Sequence, residues 1–173
     1  MPATGEVLSA FGRKTLGFIP RFGLIVGALG TCVMIGMVVA EVIATQMFGY
    51  SLPYAIEWVS YLIPIIVFWG AAYTLREGGH VRADILMHRL SDKPRQWFFL
   101  IGYLLGLAYL IIVFQFTLQV SLISFRIHAL SFFPVPSPLG PPQMVVAIGI
   151  ALFAFQLVVE IVKQARQLYL SYK

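Results

Sequence analysis

Read from its first residue, the chain alternates between long apolar stretches and short polar ones. Four stretches, at about residues 22–48, 54–75, 96–124 and 142–162, are almost free of charge. Each reaches the ~20 helical residues that cross a hydrocarbon core. Lipid offers no partner to backbone N–H and C=O groups, so spans of this length are predicted to be helices. Strands of an outer-membrane barrel would alternate polar and apolar residues in short segments, and these stretches do not. The expected fold class is therefore an all-α integral membrane protein with four transmembrane helices. Residues 1–173 form one membrane domain on this reading, with no internal repeat.

Composition agrees with the pattern. Hydrophobic residues make up 60% of the chain and charged residues 11%, against about 25% charged in ordinary soluble domains. The net charge of +5 is explained by orientation in a membrane, and no nucleic-acid partner is expected. All of the 12 lysines and arginines except Arg126 lie in the N-terminal tail, the link between spans two and three, or the C-terminal tail. The positive-inside rule then places both termini and that middle link in the cytoplasm. The first 20 residues lack the continuous apolar run and small-residue cleavage site of a signal peptide, so the first span is expected to stay as an anchor. Cys32 is the single cysteine, which leaves no internal disulfide and no thiolate metal cluster.

The links differ in character. Residues 49–53 make a short hairpin between spans one and two. Residues 125–141 hold Pro134, Pro136, Pro138 and Pro141, and are predicted to cross the periplasmic face as a non-helical strap. Phe132 and Phe133 would rest there at the headgroups or against a partner. Gly23–Gly27 and Gly102–Gly106 have the spacing that lets helix backbones approach closely in lipid. Pro64 is expected to kink span two.

A chain that moved a polar solute alone would need polar or charged groups near mid-membrane, where they are expensive and persist for function. The ionisable residues of the spans fall elsewhere. Glu41 lies 20 residues beyond Arg21, about 30 Å along a helix and close to the far interface. Glu57 opens span two, and Glu160 stands near the cytoplasmic end of span four. Gln115, Gln119 and Gln156 are the polar side chains closest to the span centres, and bonding between helices is their simplest use. Glu41 and Glu57 could bind a cation or a partner's arginine; carboxylates reaching interfacial water are the plainer alternative.

The middle link carries the densest chemistry. Ala83, Leu86, Met87 and Leu90 follow an i, i+3, i+4, i+7 spacing, with Arg82 and Arg89 on the opposite flank. A short amphipathic helix along the cytoplasmic interface fits this segment. His80, Asp84 and His88 stand i, i+4, i+8, a spacing compatible with a metal site, although pairing with arginines or a neighbouring subunit is the commoner use. His128 is expected on the opposite membrane face from His80 and His88, so no histidine pair would clamp a haem across the bundle. No catalytic, substrate-binding or metal residue is assigned, and no cofactor.

The run through Glu57, Tyr61, Gly70, Ala71, Tyr73, Arg76, His80, Val81, Asp84 and Leu90 resembles the small membrane subunit of the tripartite ATP-independent periplasmic (TRAP) transporters. Those subunits have a glutamate opening the second span, then an arginine, then a His-aliphatic-x-x-Asp segment ending near a leucine. The lead Ser137-Pro-Leu-Gly-Pro-Pro into span four is similar to the family's proline-containing entry to its last helix. The resemblance implies an accessory, non-enzymatic scaffold subunit of a sodium-coupled uptake system for organic anions or related small solutes, in a bacterial inner membrane. Its implied partners are a large multi-span transport subunit, transiently a periplasmic solute-binding protein, and lipids. Glu57, Arg76, His80 and Asp84 become candidates for holding the subunit's shape or its contact with the large one. Arg76 also suits a lipid phosphate, whose oxygens match the guanidinium fork. Two other readings stand beside this one: an independent homodimeric carrier, and a haem- or quinone-bearing anchor of a redox complex.

Overall fold

The computed structural model describes residues 4–77 and 92–171, with side chains over 21–77 and 94–170. Four helices account for nearly all of it: α1 (Thr4–Phe48), α2 (Pro53–Arg76), α3 (Asp92–Arg126) and α4 (Gly140–Ser171). All four are long and apolar enough to cross a membrane. Three outrun the apolar stretches that predict them: α1 begins well before residue 22, α3 before 96, and α4 runs on past 162. Polar ends of a helix are free to continue into water, so hydropathy marks the part inside lipid and not the helix end.

The termini of these helices follow local chemistry. At the end of α1, Gly49 takes φ +70°, a left-handed conformation natural to glycine, and the Tyr50 N–H turns back to the Ala44 carbonyl (3.4 Å). Pro53 then opens α2, where its missing N–H costs nothing and its fixed φ is already helical. The helix runs unbroken through Pro64. At the end of α3, His128 takes φ +49° and the Ala129 N–H reaches the Ser124 carbonyl (2.9 Å). This is the six-to-one bond of a Schellman ending.

The helices stand in a row and not in a closed bundle. α1 packs along α2, α2 along α4, and α4 along α3, while α1 touches α4 only marginally. The order across the row is α1, α2, α4, α3. Small residues make the closest seams. Ala44, Ala55, Ala72 and Ala147 are all buried, and a Cβ on Gly23 would lie 2.5 Å from the Trp69 carbonyl oxygen. A Cβ on Gly27 would lie 3.6 Å from the Gly70 Cα. Hydrophobic burial drives little helix association inside lipid, where packing and hydrogen bonds do the work. The Gly23–Gly27 pair therefore meets the close approach its spacing predicts. Gly102 does not: no atom lies within 4 Å of where its Cβ would be, and Gly106 makes only ordinary contact with Leu157. The main apolar cluster joins Leu75, Leu110, Ile150 and Leu157 across α2, α3 and α4.

Candidate functional site

The polar chemistry of the described residues concentrates at the end of the molecule that holds the 49–52 hairpin and the 127–139 loop. Glu57, in the second turn of α2, is fully buried. Its carboxylate accepts the Tyr61 hydroxyl (2.9 Å) and the hydroxyl of Ser137, with Ser131 also interacting. Tyr61 lies one turn along the same helix, the i, i+4 spacing that brings two side chains together. The serines come from the loop, 80 residues away for Ser137. A buried carboxylate without hydrogen bonds would be strongly disfavoured, so the glutamate and the loop secure each other.

The loop itself is folded to present those hydroxyls. Residues 129–131 and 137–139 pair antiparallel, with the Ser131 N–H on the Ser137 carbonyl (3.0 Å) and the Leu139 N–H on the Ala129 carbonyl (3.0 Å). The Ser137 N–H donates to Ser131 Oγ (3.1 Å). Proline dictates non-helical backbone here, as its spacing predicts, but the segment closes on itself instead of running as an extended strap. Pro134 and Pro136 lie in its tip, where no ladder donor is needed. Phe132 is wholly exposed at that tip. Ser121 anchors the return into α4 through the Gly140 carbonyl (3.2 Å).

Glu41 plays a similar part for the short hairpin. Its carboxylate accepts the Ser51 hydroxyl (2.6 Å) and the Leu52 N–H (2.7 Å). Leu52 is the N-cap of α2 and offers no side-chain cap of its own. A carboxylate borrowed from α1 thus satisfies one orphan donor and faces the positive end of the α2 dipole. Both halves of this arrangement are intrachain. Below it an open apolar groove of about 250 Å³ runs between α1 and α2, lined by Met37, Val38, Val42 and Ile56 among others.

A third feature ties the middle of the row. Trp69 Nε1 donates to the Val145 carbonyl of α4 (2.9 Å), and its ring meets Phe22 of α1 edge-on at 5.8 Å between centroids. Gly149 makes room, since a Cβ there would lie 2.5 Å from Trp69 Cδ1. One indole therefore touches three helices. Sequence reasoning passed over this residue, because a tryptophan in an apolar helix looks like any other lipid-facing aromatic. Ser131 was missed as well. The available signal was a pair of hydroxyls, Ser131 and Ser137, in an otherwise apolar and proline-rich link.

The predicted candidates separate. Glu57 is at the loop end, whereas Arg76 closes α2 at the opposite end, 19 residues or about 28 Å away. His80 and Asp84 lie outside the described residues, as do His88 and the amphipathic segment. Of the mid-span glutamines, Gln156 is buried and bonds along its own helix to Glu160 (3.1 Å), not to a neighbour. Gln115 and Gln119 are exposed on α3. Glu160 is also paired with Lys163 at 2.7 Å. Among the described residues, no three metal-binding side chains come together. What the site can do chemically is hold. Glu41 is occupied by the Ser51 hydroxyl and the Leu52 N–H. Glu57 takes both hydroxyls on Oε1, while its buried Oε2 has no hydrogen-bond partner among the described residues.

Comparison with known proteins agrees with the architecture. Residues 34–167 match the family described as tripartite ATP-independent periplasmic transporters, DctQ component. The chain is 32% identical over 159 residues to the C4-dicarboxylate TRAP transporter small permease protein DctQ of Rhodobacter capsulatus, covering 89% of this chain and 68% of that one. No solved structure matches.

Proposed function

This chain belongs to the DctQ component family of the tripartite ATP-independent periplasmic transporters, and from that membership we propose that it is the non-transporting scaffold subunit of such a system. On this reading it packs against a large multi-span subunit that carries the solute with sodium, and a periplasmic solute-binding protein delivers the cargo. It sits in the bacterial inner membrane with both termini in the cytoplasm, so the Glu57 loop faces the periplasm. Organic anions are the solute class, in keeping with the C4-dicarboxylate named for the Rhodobacter relative.

The observation that carries the proposal is the distribution of polar groups across the row. Among the described residues the carboxylates of the spans lie toward the helix ends and serve local bonds. Among the described residues, the open row of helices encloses no polar path between its two faces. On this reading Glu57 and the loop give the subunit a fixed periplasmic edge, and Arg76 at the other end of α2 belongs to the edge that meets lipid headgroups or the large subunit. His80 and Asp84 would complete that cytoplasmic edge.

Co-expression from the native gene set tests this reading. An affinity tag on this chain should recover the large subunit in roughly equimolar amount, and cells lacking this chain should lose uptake. Recovery of this chain alone, with uptake unaffected by its deletion, would exclude a scaffold role.

A further inference from the structure

The outer face of α3 carries two side chains that lipid does not explain. Starting at Ile101 and stepping alternately by four and three residues, the chain passes Leu105, Ala108, Ile112, Gln115 and Gln119, then Leu122 and Arg126. Every one of these positions is exposed, with Leu105 at 68% and Ile112 at 54%. Steps of four and three keep to one face of the helix, the face a left-handed helix–helix seam would use; its apolar members suit lipid equally, and the two amides do not. The side of α3 that meets α4 is a different one, marked by the buried Leu110, Ser121 and Ser124. So α3, at the end of the row, has one seam filled and a second seam empty.

The two glutamines in the empty seam lie inside the hydrocarbon. Gln115 stands five residues from the midpoint of the 94–126 span, about 8 Å, and Gln119 about 14 Å, both within the ~15 Å half-thickness of a bilayer core. Helix register brings them closer to the centre. Phe68 meets Gly149 and Ser121 meets Gly140, which sets residues 115–119 of α3 level with Pro64, halfway along α2. Neither amide has a partner among the described residues. A side-chain amide with two donors and an acceptor is costly in hydrocarbon when unpaired. Polar groups at such depth face protein.

We propose that this α3 seam is the docking site for a transmembrane helix of the large transport subunit, which presents hydrogen-bonding side chains to Gln115 and Gln119 at mid-depth. The identity of the occupant rests on the scaffold reading above; the seam and its polar pair rest on the fold. A second copy of this chain fits less well. Two copies in one membrane share an orientation, so a twofold axis along the seam would set Arg126 against Arg126. A heterologous helix with carbonyls or an acidic residue at that level has no such conflict and pairs with the exposed guanidinium.

Site-specific photo-crosslinking in native membranes tests the seam. A benzophenone amino acid is placed at Ile112 or Leu122, which leaves both amides intact, and at Val39 on α1 for comparison. The large subunit is expected in the adduct from positions 112 and 122. The double variant Gln115→Leu, Gln119→Leu should lower recovery of the large subunit by roughly 10-fold, from two interhelical bonds of the usual strength in membranes. Recovery of the large subunit by affinity tag with adducts at 112 and 122 only to lipid, or only to a second copy, overturns the seam while the scaffold reading survives. Absence of the large subunit from both the adducts and the affinity-tag recovery overturns both.

Discussion

At the scale of single residues, Glu57 shows how an acidic side chain is held at the rim of a membrane protein. It is fully buried, yet its partners are hydroxyls and not a cation: Tyr61 one turn away, and Ser137 from a loop 80 residues distant. The Tyr61 half of this site was readable, since i, i+4 spacing on a helix needs only the sequence. The Ser137 half was not, because nothing local says which of the chain's serines will fold back onto α2. Coupling follows from the geometry. Ser137→Ala should cost about 1–3 kcal/mol, the range for leaving a buried acceptor short of a donor. Glu57→Ala should also destabilise, and the double variant should cost clearly less than the two single effects added. Tryptophan fluorescence during reversible unfolding in mixed micelles reads all three. Additive effects would mean that the loop is held by something other than this carboxylate.

At the scale of the element, the four helices were legible where they cross lipid, but not their polar extensions or their neighbours. Hydropathy predicts four spans because backbone groups in lipid must be satisfied within the segment. The same argument is silent on which helix meets which. The two glycine pairs illustrate this: identical spacing, but Gly23 and Gly27 lie against α2 while Gly102 faces open space. What distinguishes them is the partner helix, which sequence does not reveal. The structure identifies two tight crossings, Gly23 at the Trp69 carbonyl and Gly149 at the Trp69 ring. Gly23→Ala and Gly149→Ala should each destabilise by about 1–3 kcal/mol, the usual penalty of overpacking, and Gly149→Ala should also break the indole bond to Val145. Gly102→Ala, measured in the same unfolding assay, should be neutral. A Gly149→Ala variant as stable as the parent would mean that the α2–α4 crossing is looser than described.

At the scale of the whole molecule, the open row is the feature that bears most on function. A self-sufficient carrier needs an enclosed polar site that can open to either side. Among the described residues the carboxylates of this single layer lie toward the helix ends, and the mid-depth Gln115 and Gln119 are on an outer face, not in an enclosure. The absence of mid-span charge was visible in the sequence; the row was not, since hydropathy ranks helices by depth and not by adjacency. Exposed glutamines on α3 add the complementary point that the layer is unfinished on one side. The family comparison gives the layer its setting as the small permease component of a tripartite periplasmic transporter. Reconstitution measures this most directly. Liposomes containing the purified chain alone, and liposomes containing it with the large subunit, are given a sodium gradient and the native solute-binding protein loaded with its labelled solute. The account predicts accumulation only in the second set, with the first indistinguishable from empty vesicles. Sodium-driven accumulation by the purified chain alone would contradict it.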